Sequence, residues 1–185
     1  AAAFEHFASA SCTIPMRIVE RQTRSRAGVN IHEYQGKALF REEGVAVQDG
    51  VHCTTVRQAL DAYDSLGSKI VAVKSQIHAG GRGKGTLYDP NSGELVMEGG
   101  VKIAFDKGQV RDYASNILGN LLVTKQTGQD GKLVNNLYIE AGCEIAHEYY
   151  LAILIDREED AILVMASTEG GVDIEAVSYT HLRAH

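Results

Sequence analysis

The sequence predicts an α+β fold. Short amphipathic helical stretches alternate irregularly with short β-branched runs in the first two thirds of the chain. The remainder reads as successive strands joined by the turn signals Gln129-Asp130-Gly131 and Arg157-Glu158-Glu159-Asp160. The glycine-rich stretch at residues 78–85 is neither G-x-G-x-x-G opening a helix nor G-x-x-x-x-G-K-[ST], so the two common nucleotide fingerprints are absent from it. Mixed elements followed by antiparallel hairpins fit α+β rather than a doubly wound sheet with regular βαβ alternation.

In chain order, Asn30 followed by Glu33 is a capping-box-like start. Ile31, Tyr34, Ala38 and Leu39 then recur at helical spacing until Gly44. Residues 45–47 and 51–53 read as brief strands. Thr55 caps a second helix with Val56, Ala59, Leu60 and Tyr63 on its apolar face, ending at Gly67. The run Ile70-Val71-Ala72-Val73 reads as a buried strand that delivers Lys74 at its end. Asp89-Pro90-Asn91-Ser92-Gly93 is a strong turn signal and makes residues 87–100 a hairpin. A strand at 101–105 leads to a helix capped by Asp106, with Val110, Tyr113, Ala114 and Ile117 inward and Gly119 at its end. Strands are expected at 121–125, 133–140, 149–156 and 161–167.

The 185 residues are 44% hydrophobic and 23% charged, ordinary values for a folded chain able to bury a core. A net charge of −6 offers no general attraction to nucleic acid or anionic membranes, so phosphate binding must come from a local site. Cys12, Cys53 and Cys143 are far apart and odd in number, which argues against a disulfide framework and for a reducing compartment. No apolar run approaches the roughly 18 residues that cross a bilayer. Both ends differ from the body. Residues 1–28 carry Arg17, Arg21, Arg24 and Arg26 and read either as upstream translation or as an organelle leader. Residues 178–185 resemble a translated adapter, so the chain is expected to stop inside a domain.

The residues with chemical potential begin with Lys74 and the loop Gly80-Gly81-Arg82-Gly83-Lys84-Gly85. Glycines let backbone amides approach phosphate oxygens, while Arg82, Lys84 and Lys74 supply the neutralising charge. The alternative is a surface loop with solvated basic residues. A lysine ending an apolar strand must either snorkel to water or meet an anion. On the first reading, alanine at Lys74 is expected to weaken phosphate binding without unfolding the protein. Glu140 and Glu148, eight residues apart at strand ends, can accept hydrogen bonds from ribose hydroxyls or simply be exposed charges. His78 is a base, a donor or an ordering residue of the loop. Cys143 has no partnered base in the pattern and reads as a packing residue.

Residues 29–177, about four fifths of the chain, resemble the N-terminal part of succinate–CoA ligase (succinyl-CoA synthetase) β subunits. The resemblance is carried by Asn30-Ile31-His32-Glu33-Tyr34-Gln35-Gly36-Lys37, residues 73–84, residues 138–148, and the run from Met165 to Glu175. It implies an incomplete ATP-grasp fold, with a nucleotide lying between two α+β subdomains under a glycine-rich loop. By the same resemblance Lys74 contacts the phosphates and Gly81, Arg82 and Gly83 form the closing loop. Glu140, Cys143 through its backbone, and Glu148 contact adenine and ribose.

The resemblance also implies a reaction in which succinate, CoA and ATP or GTP give succinyl-CoA, reversibly, within the citric acid cycle. The phosphorylated histidine belongs to a partner α subunit, so no catalytic residue is expected here. Mg²⁺ would be held by an Asn and an Asp further along the ATP-grasp fold, leaving no metal ligand in this stretch and the fragment inactive alone. By the resemblance Gln48 is a cue to nucleotide preference, since some family members that prefer GTP carry Gln at this place and some ATP-preferring ones Pro. Residues 87–100 are longer than in the commonest bacterial members. The expected location is cytoplasmic in a bacterium, or the mitochondrial matrix if residues 1–28 are a leader. A malate–CoA ligase, an ATP-citrate lyase-type subunit and a non-catalytic interaction module are the alternatives.

Overall fold

The computed structural model describes residues 30–168 and residue 170. The expectations for residues 1–28 and 178–185, for Cys12 and for most of the run after Thr168 lie outside these. The described elements are α1 (Glu33–Glu42), β1 (Gly50–Cys53), α2 (Val56–Leu66), β2 (Val71–Ser75), β3 (Thr86–Tyr88), β4 (Leu95–Glu98), β5 (Val101–Ala104), α3 (Lys107–Ile117), β6 (Leu121–Val123), β7 (Lys132–Leu133), β8 (Leu137–Ala141), β9 (Tyr150–Asp156) and β10 (Ala161–Ser167). A short 3₁₀ turn at Arg82–Lys84 sits between β2 and β3.

Three antiparallel sheets result, ordered β1-β8-β2-β5, β4-β3-β6-β7 and β10-β9. Successive residues of a strand face opposite sides. In the first sheet Val71, Val73, Leu137, Ile139, Cys53 and Ala104 therefore share one face, where they are buried with Ala59 and Ala62 of α2 and Val110, Ala114 and Ile117 of α3. The opposite face carries Ala72, Lys74, Tyr138 and Glu140. Leu87 and Leu122 are paired across the second sheet and join the same core.

Helix ends follow the predicted caps where the chemistry is local. Thr55 Oγ1 accepts from the Gln58 amide at 3.2 Å, and Gly67 closes α2 at φ 60°, a backbone angle that suits glycine. Asp106 Oδ1 accepts from the Gln109 amide at 2.8 Å and starts α3.

Four expectations need correction. Helix α1 begins at Glu33 with His32 as N-cap, not at Asn30. Gln35 Oε1 accepts the His32 amide at 2.8 Å, and the Glu33 carboxylate faces lysine and arginine instead of the helix end. Most of the face expected to be apolar is also exposed: no α1 residue is fully buried, Ile31 and Leu39 are about half exposed, and of that face only Tyr34 is half-buried. The helix is fastened by ion pairs and ring stacking on Glu33, Tyr34 and Lys37. Residues 45–47 form no ladder and run as a connector, tied to α1 by Arg41 Nη2 donating to the Gln48 carbonyl at 3.2 Å. The single strand expected at 133–140 is two strands in different sheets. Val134 bonds back to Asn120 and Gly119, and the Asn136 carbonyl accepts the Gln76 amide, so the chain crosses from one sheet to the other between them.

The β9–β10 hairpin pairs in register through the turn at 157–160, as predicted. One face is wholly aliphatic, with Leu151, Ile153, Ile155, Ile162 and Val164 exposed among the described residues.

Candidate functional site

Lys74 and Glu140 meet on the sheet face away from α2 and α3. Pairing of β2 with β8 sets Lys74 opposite Tyr138 and Ala72 opposite Glu140, and α1 brings Glu33 and Lys37 over that face. Lys74 lies one residue before the end of β2 rather than at it. Glu140, only 4% exposed, accepts hydrogen bonds from Lys37 on one oxygen and from Lys74 on the other. Burying a carboxylate is costly unless cationic partners such as these pair with it.

Glu33 completes the cluster. Its Oε1 lies 3.1 Å from Lys74 Nζ and 3.6 Å from Lys37 Nζ, and its Oε2 lies 2.8 Å from Arg82 Nη2. Arg82 Nη1 also donates to the Ser75 carbonyl at 2.6 Å, which folds the loop arginine against the end of β2. Three cations (Lys37, Lys74, Arg82) thus surround two carboxylates (Glu33, Glu140), leaving one net positive charge.

The loop at 80–85 connects the first two sheets and is held at both sides. Gly80 donates to Gln126 Oε1 at 2.6 Å, Lys84 to the Gly81 carbonyl and Gly85 to the Arg82 carbonyl. Gly100 donates to the Arg82 carbonyl at 2.8 Å; a Cβ on Gly100 would lie 2.6 Å from Leu122 and 2.7 Å from Ser75, so only glycine lets the two segments touch. Gly81 opens the 3₁₀ turn at φ 74°. Among the described residues the amides of Gly81, Arg82 and Gly83 have no acceptor, and a Cβ on Gly83 would meet nothing within 4 Å. Successive unpaired amides beside an arginine are an arrangement that can accept an anion.

The other end of the cluster leads to Gln48, whose Oε1 is 3.5 Å from Lys37 Nζ and whose Nε2 is 2.7 Å from Cys143 Sγ. A slot of about 450 Å³ opens between Lys37, Ala46, Val47 and Gln48. Lys74, Arg82 and Glu140 are therefore brought together through shared partners, and Gln48 and Cys143 adjoin them through Lys37. Glu148 is exposed and, among the described residues, has no hydrogen bond or ion pair to this cluster; its carbonyl accepts the Gly170 amide at 3.1 Å.

Glu33, Lys37 and Gln76, whose Nε2 donates to Glu33 Oε2 at 3.5 Å, belong to the site and were not singled out in the sequence. The signal available was the Glu33–Lys37 i,i+4 spacing on a helix, which normally marks a solvated pair. Of the stacked rings, only His78 was singled out in the sequence, with ordering of the loop among its readings. His78 stacks on His32 at 3.9 Å and Tyr34 on His52 at 4.0 Å, while His52 Nε2 lies 2.8 Å from Asn136 Oδ1. These contacts seat the start of α1 on the sheet and beside the loop.

Burial by itself would raise the Glu33 pKa, but the hydrogen bond from Arg82 and the charges of Lys74 and Arg82 outweigh it and hold the carboxyl at about 2. Burial would lower Lys74, yet its bonds to Glu140 and Glu33 bring it above the ordinary lysine value. His32 is lowered by burial and by the charges of His78, His52 and Arg82. The Glu33 depression fixes a sign. Its stabilisation is complete above the unfolded value near 4.5 and is lost as pH falls through about 2. Melting temperatures measured between pH 6 and pH 2 should therefore drop across that window. The drop should be smaller in Glu33→Gln; an equal drop in both proteins would show that Glu33 is not its source.

A family model describing the ATP-grasp domain matches residues 30–183. The chain belongs to the ATP-grasp family. The mixed helices and antiparallel sheets are consistent with part of that α+β fold. Among curated relatives, the succinate–CoA ligase [ADP-forming] subunit β of Nitrobacter hamburgensis is 50% identical over 152 residues, covering 82% of this chain and 38% of that protein. The same-named proteins of Staphylococcus saprophyticus and Bacillus cytotoxicus are each 49% identical over 150 residues, covering 81% of this chain and 35% and 36% of theirs. The chain thus spans just over a third of the length of these relatives.

The ATP-grasp assignment raises the question of Mg²⁺. Among the described residues no group of three or more His, Cys, Asp or Glu side chains could hold a metal ion. The two carboxylates of the cluster already face lysine and arginine, which repel a cation. The described residues do not fit a metal cage. Nor, among them, is any helix long and apolar enough to cross a membrane.

Proposed function

We propose that this chain is the nucleotide-binding front part of a succinate–CoA ligase β subunit, working in a complex that converts succinate, CoA and a nucleoside triphosphate to succinyl-CoA, the diphosphate and phosphate. The observation that carries this reading is the convergence of Lys74, Arg82 and the unpaired amides of Gly81, Arg82 and Gly83 near the end of the interior strand β2 in a chain of the ATP-grasp family.

The phosphate chain would lie against Lys74 and the loop, where ammonium, guanidinium and amide donors neutralise its charge. Glu140 anchors Lys74 from below. The base would enter the slot beside Gln48 and Cys143, with Gln48 offering one amide donor and one acceptor to its edge. Glu148 would reach the ribose from the segment after β8. Phosphoryl transfer through a histidine of an α subunit, Mg²⁺ bridging the phosphates, and the choice of succinate would rest on parts of the complex outside the described residues. The relatives' designation as ADP-forming favours ATP over GTP, whereas Gln48 would point to GTP.

A chimera tests this directly. Residues 30–170 would replace the matching stretch of the Nitrobacter hamburgensis β subunit, coexpressed with an α subunit. Succinate- and CoA-dependent consumption of ATP and of GTP would then be measured side by side. Succinyl-CoA formation is expected. An assembled complex with no turnover would exclude the ligase reading, and the ratio of the two nucleotide rates decides the preference.

A further inference from the structure

Glu33 holds the same two cations that the proposed function gives to phosphate. One carboxylate oxygen lies 3.1 Å from Lys74 and the other 2.8 Å from Arg82, a spacing that joins a β2 lysine to the glycine-loop arginine through a single anion. Lys74 and Arg82 cannot give their full charge to a nucleotide while they neutralise this carboxylate. Of the two acids in the cluster, Glu33 is the one able to move. Glu140 is buried on a central strand, whereas the Glu33 side chain is 22% exposed in the first turn of a helix. There a carboxylate is favoured by the helix dipole even without an ion-pair partner. Gly81 and Gly83 flank Arg82 and let the other partner swing as well.

We propose that Glu33 is a resident stand-in for the phosphate chain: it clasps Lys74 and Arg82 together in the ligand-free protein and must release them when nucleotide binds. The proposal rests on the nucleotide-binding reading and deepens it by naming an affinity-setting residue. Glu33 acts through Lys74 and Arg82 and is a positioning residue, not a catalytic one. Its presence would lower apparent affinity, because only the fraction of molecules with the clasp open can bind. In return, the loop is kept ordered and its arginine kept off solvent until ligand arrives.

The test uses the whole 185-residue chain. ATP binding is titrated calorimetrically for wild type and Glu33→Gln at two salt concentrations, and amide exchange is followed at residues 80–85 without ligand. Glu33→Gln should bind ATP about tenfold more tightly at low salt, the scale of removing one partly exposed competing charge, with a steeper salt dependence. Its unliganded loop should exchange faster than that of wild type. In the wild type, ATP should protect residues 80–85 while exposing residues 33–37. This reading needs no variant and stands even if Glu33→Gln fails to fold. Equal or weaker ATP binding by a folded Glu33→Gln, or protection of residues 33–37 by ATP, would overturn the proposal, since Glu33 would then stay engaged in the bound state. If ATP binds neither protein, the nucleotide reading itself fails and the clasp has no phosphate to yield to.

Discussion

Glu140→Ala is expected to cost about 3–5 kcal/mol of folding stability, the range for removing one member of a buried ion pair. The carboxylate is 4% exposed and its two oxygens take one lysine each. Without it, Lys37 and Lys74 stand on the same sheet face with only Glu33 to share, and Glu33 is already committed to Arg82. A small cavity under α1 adds to the loss. Because Glu140 ties both α1, through Lys37, and β2, through Lys74, the effect should be global and not a local loosening of the helix. Urea denaturation followed by far-ultraviolet circular dichroism measures it as a lowered midpoint with an unchanged slope. Glu140→Gln should retain part of the hydrogen bonding and lose less. A loss under about 1 kcal/mol in the alanine variant would place the pair among solvated surface ion pairs and contradict its burial.

What could be read in the sequence was governed by local chemistry. Thr55 and Gly67 bracket α2, Asp106 starts α3, and the turn at 89–93 makes its hairpin; in each case the residue type itself sets the backbone. The glycine loop was legible because six residues with four glycines and two cations have few structural uses. What failed to show was non-local. The order β1-β8-β2-β5 inserts a strand from late in the chain between two early ones, and this insertion carries Glu140 to Lys74. The break of 133–140 into two strands came from Val134 and Asn136 finding partners in different sheets. No periodicity signals such a crossing. Helix α1 misled for a different reason. Of its apolar stripe only Tyr34 docks, and the other side chains that fasten it are Glu33 and Lys37, which a hydrophobic pattern counts as solvent-facing. A polar site can be assembled from residues that read, one at a time, as surface.

Lys74→Ala should weaken ATP binding thirtyfold or more, about 2–5 kcal/mol, the cost of truncating one partner of a buried charged contact. Its ion pairs give Lys74 a share in stability that its place near a strand end did not suggest. Lys74 bridges Glu33 and Glu140, and its removal leaves two partly buried carboxylates with less positive charge between them. A fall in stability should accompany the loss of affinity, so the two must be separated. Lys74→Arg does this: it keeps the charge and a share of the ion pairs but presents a planar fork where a compact ammonium stood. If Lys74 touches phosphate directly, Lys74→Arg should fold nearly as stably as wild type and still bind ATP several-fold more weakly. If Lys74 only supports the sheet, Lys74→Arg should bind as wild type does, and the affinity lost in Lys74→Ala should track its loss of stability. Calorimetric titration with ATP beside thermal melting of both variants distinguishes the two, and unchanged affinity in a folded Lys74→Ala would remove the residue from the nucleotide site.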